Sequence, residues 1–120
     1  MQKMIVKIPW GTYEVLLDEP NYKVKRSVVH PYERFSLQYH KHREEHWVVV
    51  EGDGIVQVNE KEYPAYVRTH WVILPTQKHR ATAGPNGLIF IETQTGDCYE
   101  EDIVRLEDDY GRLDSSEVSV

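Results

Sequence analysis

Apolar residues along this chain alternate with polar ones in short runs, and turn residues break each run before a helical period lasts three turns. Residues 22–30 stop at Pro31, 35–40 at a charged turn, 46–50 at Glu51-Gly52-Asp53-Gly54, and 55–58 at Asn59-Glu60-Lys61. Residues 67–74 end at Pro75, and 88–93 follow Gly84-Pro85-Asn86-Gly87. Each run has the length of a strand, bounded by residues suited to turns. The pattern predicts an all-β chain, and the close, regular spacing suits a jelly-roll barrel, whose closure removes most exposed sheet edges. Met1-Gln2-Lys3-Met4-Ile5-Val6-Lys7 carries a charge inside its short apolar stretch, so it reads as a first strand rather than a signal peptide.

Residues 97–112 are rich in Glu and Asp, which alone would suggest a solvated tail. Ile103, Val104, Leu106 and Tyr110 give the segment apolar material to pack back on the barrel. The expectation is one domain over residues 1–112, with 113–120 a disordered tail.

A length of 120 residues suits one domain, and 40% hydrophobic with 28% charged residues is ordinary for a soluble protein. No apolar run approaches the roughly 18 residues of a membrane span, so the expected location is the cytoplasm, without a membrane partner. The net charge of −6 argues against nucleic acid held through its phosphates. A small anionic substrate requires only a local group of Arg or Lys. The single cysteine, Cys98, has no partner for an internal disulfide and is read as structural.

Potential ligands concentrate in Ser36-Leu37-Gln38-Tyr39-His40-Lys41-His42-Arg43-Glu44-Glu45-His46-Trp47-Val48-Val49-Val50-Glu51-Gly52. On an extended strand Gln38 and His40 share a face, and a short turn returns the chain with Glu45 near the start of the next strand. The stretch resembles the first motif of the cupins, in which a metal-binding glutamate precedes a strand-ending glycine by the spacing of Glu45 to Gly52. The resemblance implies a cupin double-stranded β-helix holding one divalent metal ion. Pro75-Thr76-Gln77-Lys78-His79 looks like the second cupin motif, which implies a further ligand in His79. The implied set is Gln38, His40, Glu45 and His79, with His42 as the alternative to Gln38, because His40-x-His42 keeps the same parity. Such a set leaves positions open for substrate oxygens, and its mixed nitrogen and oxygen donors do not choose among zinc, manganese, iron, cobalt and nickel. His46, adjacent to Glu45, should face the opposite way, and His30 and His70 are read as ordinary histidines.

Further stretches resemble the C-terminal isomerase domain of the type II mannose-6-phosphate isomerases over roughly residues 8–112. They are Pro9-Trp10-Gly11-Thr12-Tyr13-Glu14-Val15, Tyr22-Lys23-Val24-Lys25-Arg26, Glu33-Arg34-Phe35-Ser36-Leu37-Gln38, Arg43-Glu44-Glu45-His46-Trp47, and the terminal Glu101-Asp102-Ile103-Val104-Arg105-Leu106-Glu107-Asp108-Asp109-Tyr110-Gly111-Arg112. Three places depart from that family. Lys41 stands where a third histidine is common, a glycine is usual near Tyr32, and the turn from Pro75 to His79 is one residue shorter.

The resemblance implies interconversion of mannose 6-phosphate and fructose 6-phosphate through an enediol, with a metal near the C1 and C2 oxygens and a base that moves the proton. Lys25, His42 and Glu14 are the candidate bases. Arg26, Arg34, Arg80 and Arg112 are the candidate partners of the phosphorylated sugar, with Arg80 and Arg112 also counted in the catalytic set. Trp10, Trp47 and Trp71 are read as core or rim aromatics. The lack of a Gly-rich phosphate loop excludes guanylyl transfer by this stretch. A non-catalytic sugar-binding cupin and a cupin dioxygenase are the competing functions. A homodimer joined through sheet edges is the expected assembly.

Overall fold

The computed structural model describes residues 4–113. Nine strands, all paired antiparallel, form one curled sheet: β1 Ile5–Ile8, β2 Gly11–Glu19, β3 Tyr22–Val29, β4 Leu37–Tyr39, β5 Arg43–Val58, β6 Lys61–Tyr66, β7 His70–Ile73, β8 His79–Gly96 and β9 Val104–Glu107. The order β1-β2-β3-β8-β4-β9 makes one path, and β5 leaves it at β8 to carry β6 and β7. The all-β jelly-roll expectation holds. No helix among the described residues is long and apolar enough to cross a membrane.

Two of the expected strand ends are bends. Residues 46–50 and 55–58 belong to the single strand β5, and 88–93 is the second half of β8. These two strands pair from Arg43↔Gly96 to Val58↔His79, and their register slips at Val49/Glu51 and Gly52/Gly54. The glycine turns therefore fold both strands over without ending the ladder, in the manner of a bulge. Gly52 has φ +83°, and a Cβ there would lie 2.0 Å from the carbonyl oxygen of Gly87. Only glycine satisfies both demands.

Alternation with period two sends one residue in each pair inward, and along three neighbouring strands the inward series changes character at the same level. On β3 it runs Val29, Ser27, Lys25, Lys23; on β5 Val49, Trp47, Glu45, Arg43; on β8 Leu88, Phe90, Glu92, Gln94. All of these side chains are buried. The apolar end is a hydrophobic core in which Phe35 packs on Trp47 with ring centroids 5.7 Å apart and Trp47 on Phe90 at 4.6 Å. Trp10 and Trp71 pack against that core, partly buried, as expected of rim aromatics. The other end of each series is ionic, and it forms the floor of a pocket.

The acidic segment folds back as expected. β9 pairs with β4 through Gln38↔Arg105 and Tyr39↔Val104, and Arg112 is tied to Asp108 by its backbone and guanidinium. Of the expected tail over 113–120, residues 114–120 lie outside the described residues.

Candidate metal centre

Three ligand atoms, one each from His40, Glu45 and His79, lie within 4.8 Å of one another, and all three residues are buried. They converge because β5 pairs with β8, while β4 lies beside β8 with Gln38 opposite His79. His40 follows β4 directly, and the loop before His79 is docked on it, since the Thr76 N–H donates to the His40 carbonyl at 2.7 Å.

The protonation states suit a cation. His40 Nδ1 lies 2.6 Å from the carbonyl oxygen of Asp102, and His79 Nδ1 lies 2.9 Å from that of Gln77. A carbonyl only accepts, so each Nδ1 carries the proton and each Nε2 turns a lone pair inward. Burial holds both imidazoles neutral: it pushes His40 down to about 4, aided by Arg43 and His79 against Glu45, and lowers His79 as well. For Glu45, burial alone would raise the carboxyl, but His79, His40 and Arg43 outweigh it and bring it to about 2. Trp47 Nε1–H also donates to Glu45 Oε1 at 2.9 Å. Two neutral imidazoles and one carboxylate are a donor set for a divalent ion. His79 Nε2 is buried without any hydrogen-bond partner, as an atom reserved for a metal would be.

Beside the cluster opens a cavity of about 240 Å³. Glu45, Gln38, Arg43, Lys25, Glu92, Glu100, Arg105 and Arg112 give it polar walls, and Trp10, Trp47, Phe35 and Phe90 apolar ones. Arg43 is buried against the ligands, its Nε donating to Glu45 Oε2 at 2.8 Å and its Nη2 lying 3.1 Å from His40 Nε2. Glu92 is also buried, and its carboxyl is pushed up to about 8 by burial and the nearby Glu45 charge, against Lys25.

Comparison with known proteins adds an independent line. A family model described as mannose-6-phosphate isomerase C-terminal matches residues 1–108. The chain belongs to this family. Mannose-6-phosphate isomerase C-terminal relatives include a protein named mannose-1-phosphate guanylyltransferase from Klebsiella pneumoniae, 36% identical over 107 residues, covering 87% of this chain and 22% of that protein. Another is the alginate biosynthesis protein AlgA of Pseudomonas aeruginosa, 41% identical over 106 residues, with 87% of this chain and 22% of AlgA covered. The chain thus spans about a fifth of the length of the curated relatives it matches. Among solved structures, an RmlC-like cupin from Shewanella frigidimarina superposes with TM-score 0.75 at 22% identity, covering 83% of this chain and 88% of that one. The capsular polysaccharide assembling protein CapF from Staphylococcus aureus gives 0.78 at 16%, covering 88% and 34%. These likenesses identify the fold as the cupin double-stranded β-helix.

Within this family member the expected site residues separate into two groups. Gln38, Lys25 and Arg112 line the cavity with Glu45. Gln38 turns its amide nitrogen toward His40 Nε2 at 3.5 Å, while its Oε1 accepts from Ser36 Oγ at 2.6 Å, so an oxygen donor there requires the amide to rotate. His42, the alternative ligand and a candidate base, is exposed and stacks near Tyr99, because the turn after His40 swings it outward. Glu14 and Arg26 face each other on β2 and β3, one residue out of phase with the inward-facing Lys25, and neither lines the cavity. Arg34 is exposed and paired with Asp109. Arg80 is buried outside the cavity, donating to the Phe35 carbonyl at 3.1 Å and to Glu107.

The cavity also contains residues that the sequence reading passed over. Arg43 and Glu92 each share strand parity with an inward residue two places away, Glu45 and Phe90, so alternation alone marked them as inward. Asp102, which holds the His40 loop from 60 or so residues away, carries no local signal.

Proposed function

We propose that this chain is a metal-dependent aldose–ketose isomerase that interconverts mannose 6-phosphate and fructose 6-phosphate. The observation that carries the reading is a His40–Glu45–His79 cluster at the wall of a cationic cavity, in a chain of the mannose-6-phosphate isomerase C-terminal family. Two imidazoles and a carboxylate would hold one zinc, manganese, iron, cobalt or nickel ion. When bound, that ion supplies positive charge for the oxygens of the sugar.

The rest is work for side chains. Arg112 and Arg43 bring positive charge to the cavity wall for an anionic substrate, and Lys25 adds a cation held 2.7 Å from Glu100. Trp10, Phe35 and Trp47 exclude water from the apolar side of the same space. Isomerisation moves one proton between adjacent carbons and needs no redox partner.

The test combines metal analysis of the purified protein with an assay of fructose 6-phosphate formation from mannose 6-phosphate. His40→Ala should lose both metal and turnover. Folded, metal-loaded protein that binds the sugar phosphate without converting it overturns the reading in favour of a binding module. We also propose a homodimer, which light scattering showing only the monomer rejects.

A further inference from the structure

We propose that Glu92 is the catalytic base that carries the proton between C2 and C1 of the sugar. The assignment rests on the isomerase reading and adds a residue to it.

The cavity holds three carboxylates, and two are committed. Glu45 belongs to the metal cluster, and Glu100 accepts from Lys25 at 2.7 Å and Lys23 at 3.3 Å. Glu92 remains: it lines the cavity, is 7% exposed, and makes no ion pair among the described residues. Its position is fixed from every side. Lys25 on β3 and Trp47 on β5 flank it by cross-strand register, and Gln94, two residues along β8, donates from Nε2 to Glu92 Oε2 at 2.6 Å. Gln94 is fully buried, and its register partner across the sheet is Glu45. The ladder thereby places the base candidate two residues along β8 from the strand position that faces the metal cluster. The charged groups facing Glu92 are Lys25 from β3, Glu45 and Arg43 from β5, and Glu100 from the returning segment. A carboxyl so placed, with its proton affinity raised towards neutral pH, can both take and return a proton.

The step balances within the substrate. The Glu92 carboxylate takes the proton from C2 of the open-chain aldose, the C2–H pair forms the C1=C2 bond, and the carbonyl pair moves to O1. The O2 proton passes to O1, the C2=O bond forms, and the C1=C2 pair takes the proton back from Glu92 at C1. No oxidant or other reactant enters.

The experiment compares wild type, Glu92→Gln and Glu92→Asp, each loaded with metal, for kcat, KM and incorporation of solvent deuterium into fructose 6-phosphate. Glu92→Gln should lose about 10³-fold in kcat and lose deuterium incorporation, with metal content and KM little changed. Glu92→Asp should recover part of both, because it keeps the carboxylate. Near-normal turnover of Glu92→Gln, or failure of Glu92→Asp to exceed it, overturns the assignment while leaving the isomerase reading intact. Wild-type protein that turns over no sugar phosphate overturns both. If Glu92→Gln does not fold, Glu92→Ala takes its place, and near-normal kcat and deuterium incorporation in that variant refute Glu92.

Discussion

His40 Nδ1 and the backbone carbonyl of Asp102 lie 2.6 Å apart, 62 residues apart in sequence, so the segment after the barrel orients one imidazole of the His40–Glu45–His79 cluster. The Asp102 carboxylate fixes that carbonyl by accepting the backbone N–H groups of Lys41 at 2.8 Å and His42 at 2.9 Å. Asp102→Ala keeps the carbonyl but frees its position. The expected outcome is a metal affinity about tenfold weaker, measured by competition with a chromophoric chelator.

Glu45 and Arg43 form a buried ion pair at 2.8 Å. Glu45→Gln leaves the guanidinium without its counter-charge, and unfolding in urea should show a loss of roughly 3 kcal/mol in metal-free protein. Metal binding should fall in the same variant. A loss below about 1 kcal/mol would mean that water or another acid reaches Arg43.

The stability of the metal-free protein should depend on pH in two opposed ways. His40, lowered from the usual 6.5 to about 4, contributes stability present above 6.5 and lost as pH falls through 4; Glu45, lowered from 4.5 to about 2, contributes stability lost from 4.5 downward. Glu92 is raised, so the folded state binds its proton more tightly, and its contribution fades as pH rises from 4.5 through about 8. The stability difference between Glu92→Gln and wild type should therefore shift in favour of the variant between pH 5 and 8. Parallel pH curves for the two proteins would contradict the raised Glu92 carboxyl.

Thr76 has φ +73° in the loop that precedes His79, and its side chain is exposed. A β-branched residue is strained there, while glycine is not. Thr76→Gly should stabilise the protein by about 1 kcal/mol in chemical denaturation.

The arginines differ by location. Arg112→Ala should raise KM for mannose 6-phosphate about tenfold or more, because it removes a charged donor from the cavity wall. Arg34→Ala should leave KM unchanged, since Arg34 does not line the cavity and pairs with Asp109 outside it. Equal effects of the two substitutions would place the anion elsewhere.

The cluster itself was legible in the sequence because motif spacing and strand parity both act over a few residues. Gln38, His40 and Glu45 fall within one turn of chain, and His79 stands at the end of a Pro-bounded loop. The cupin fold was legible for the same reason. What escaped were relationships set by the fold. Period two makes Arg26 and Lys25 equally plausible until the sheet decides which faces inward, and Glu14 follows Arg26 by register. The bends at Gly52 and Gly87 look like strand ends in one dimension, since a continuing ladder is visible only when β5 meets β8. Tyr32 explains one departure from the family: its φ of +63° is a conformation that the usual glycine adopts freely.

The returning segment from Asp97 has a temporal consequence. Until residues 97–112 have docked, His40 lacks its carbonyl anchor and the cavity lacks Arg105 and Arg112, even where the strands up to Gly96 have paired. The centre is therefore complete only once this segment has docked. A protease cutting near Cys98 would leave that wall and the His40 anchor held only by noncovalent contacts, β9 on β4 among them, while sparing the strands up to Gly96.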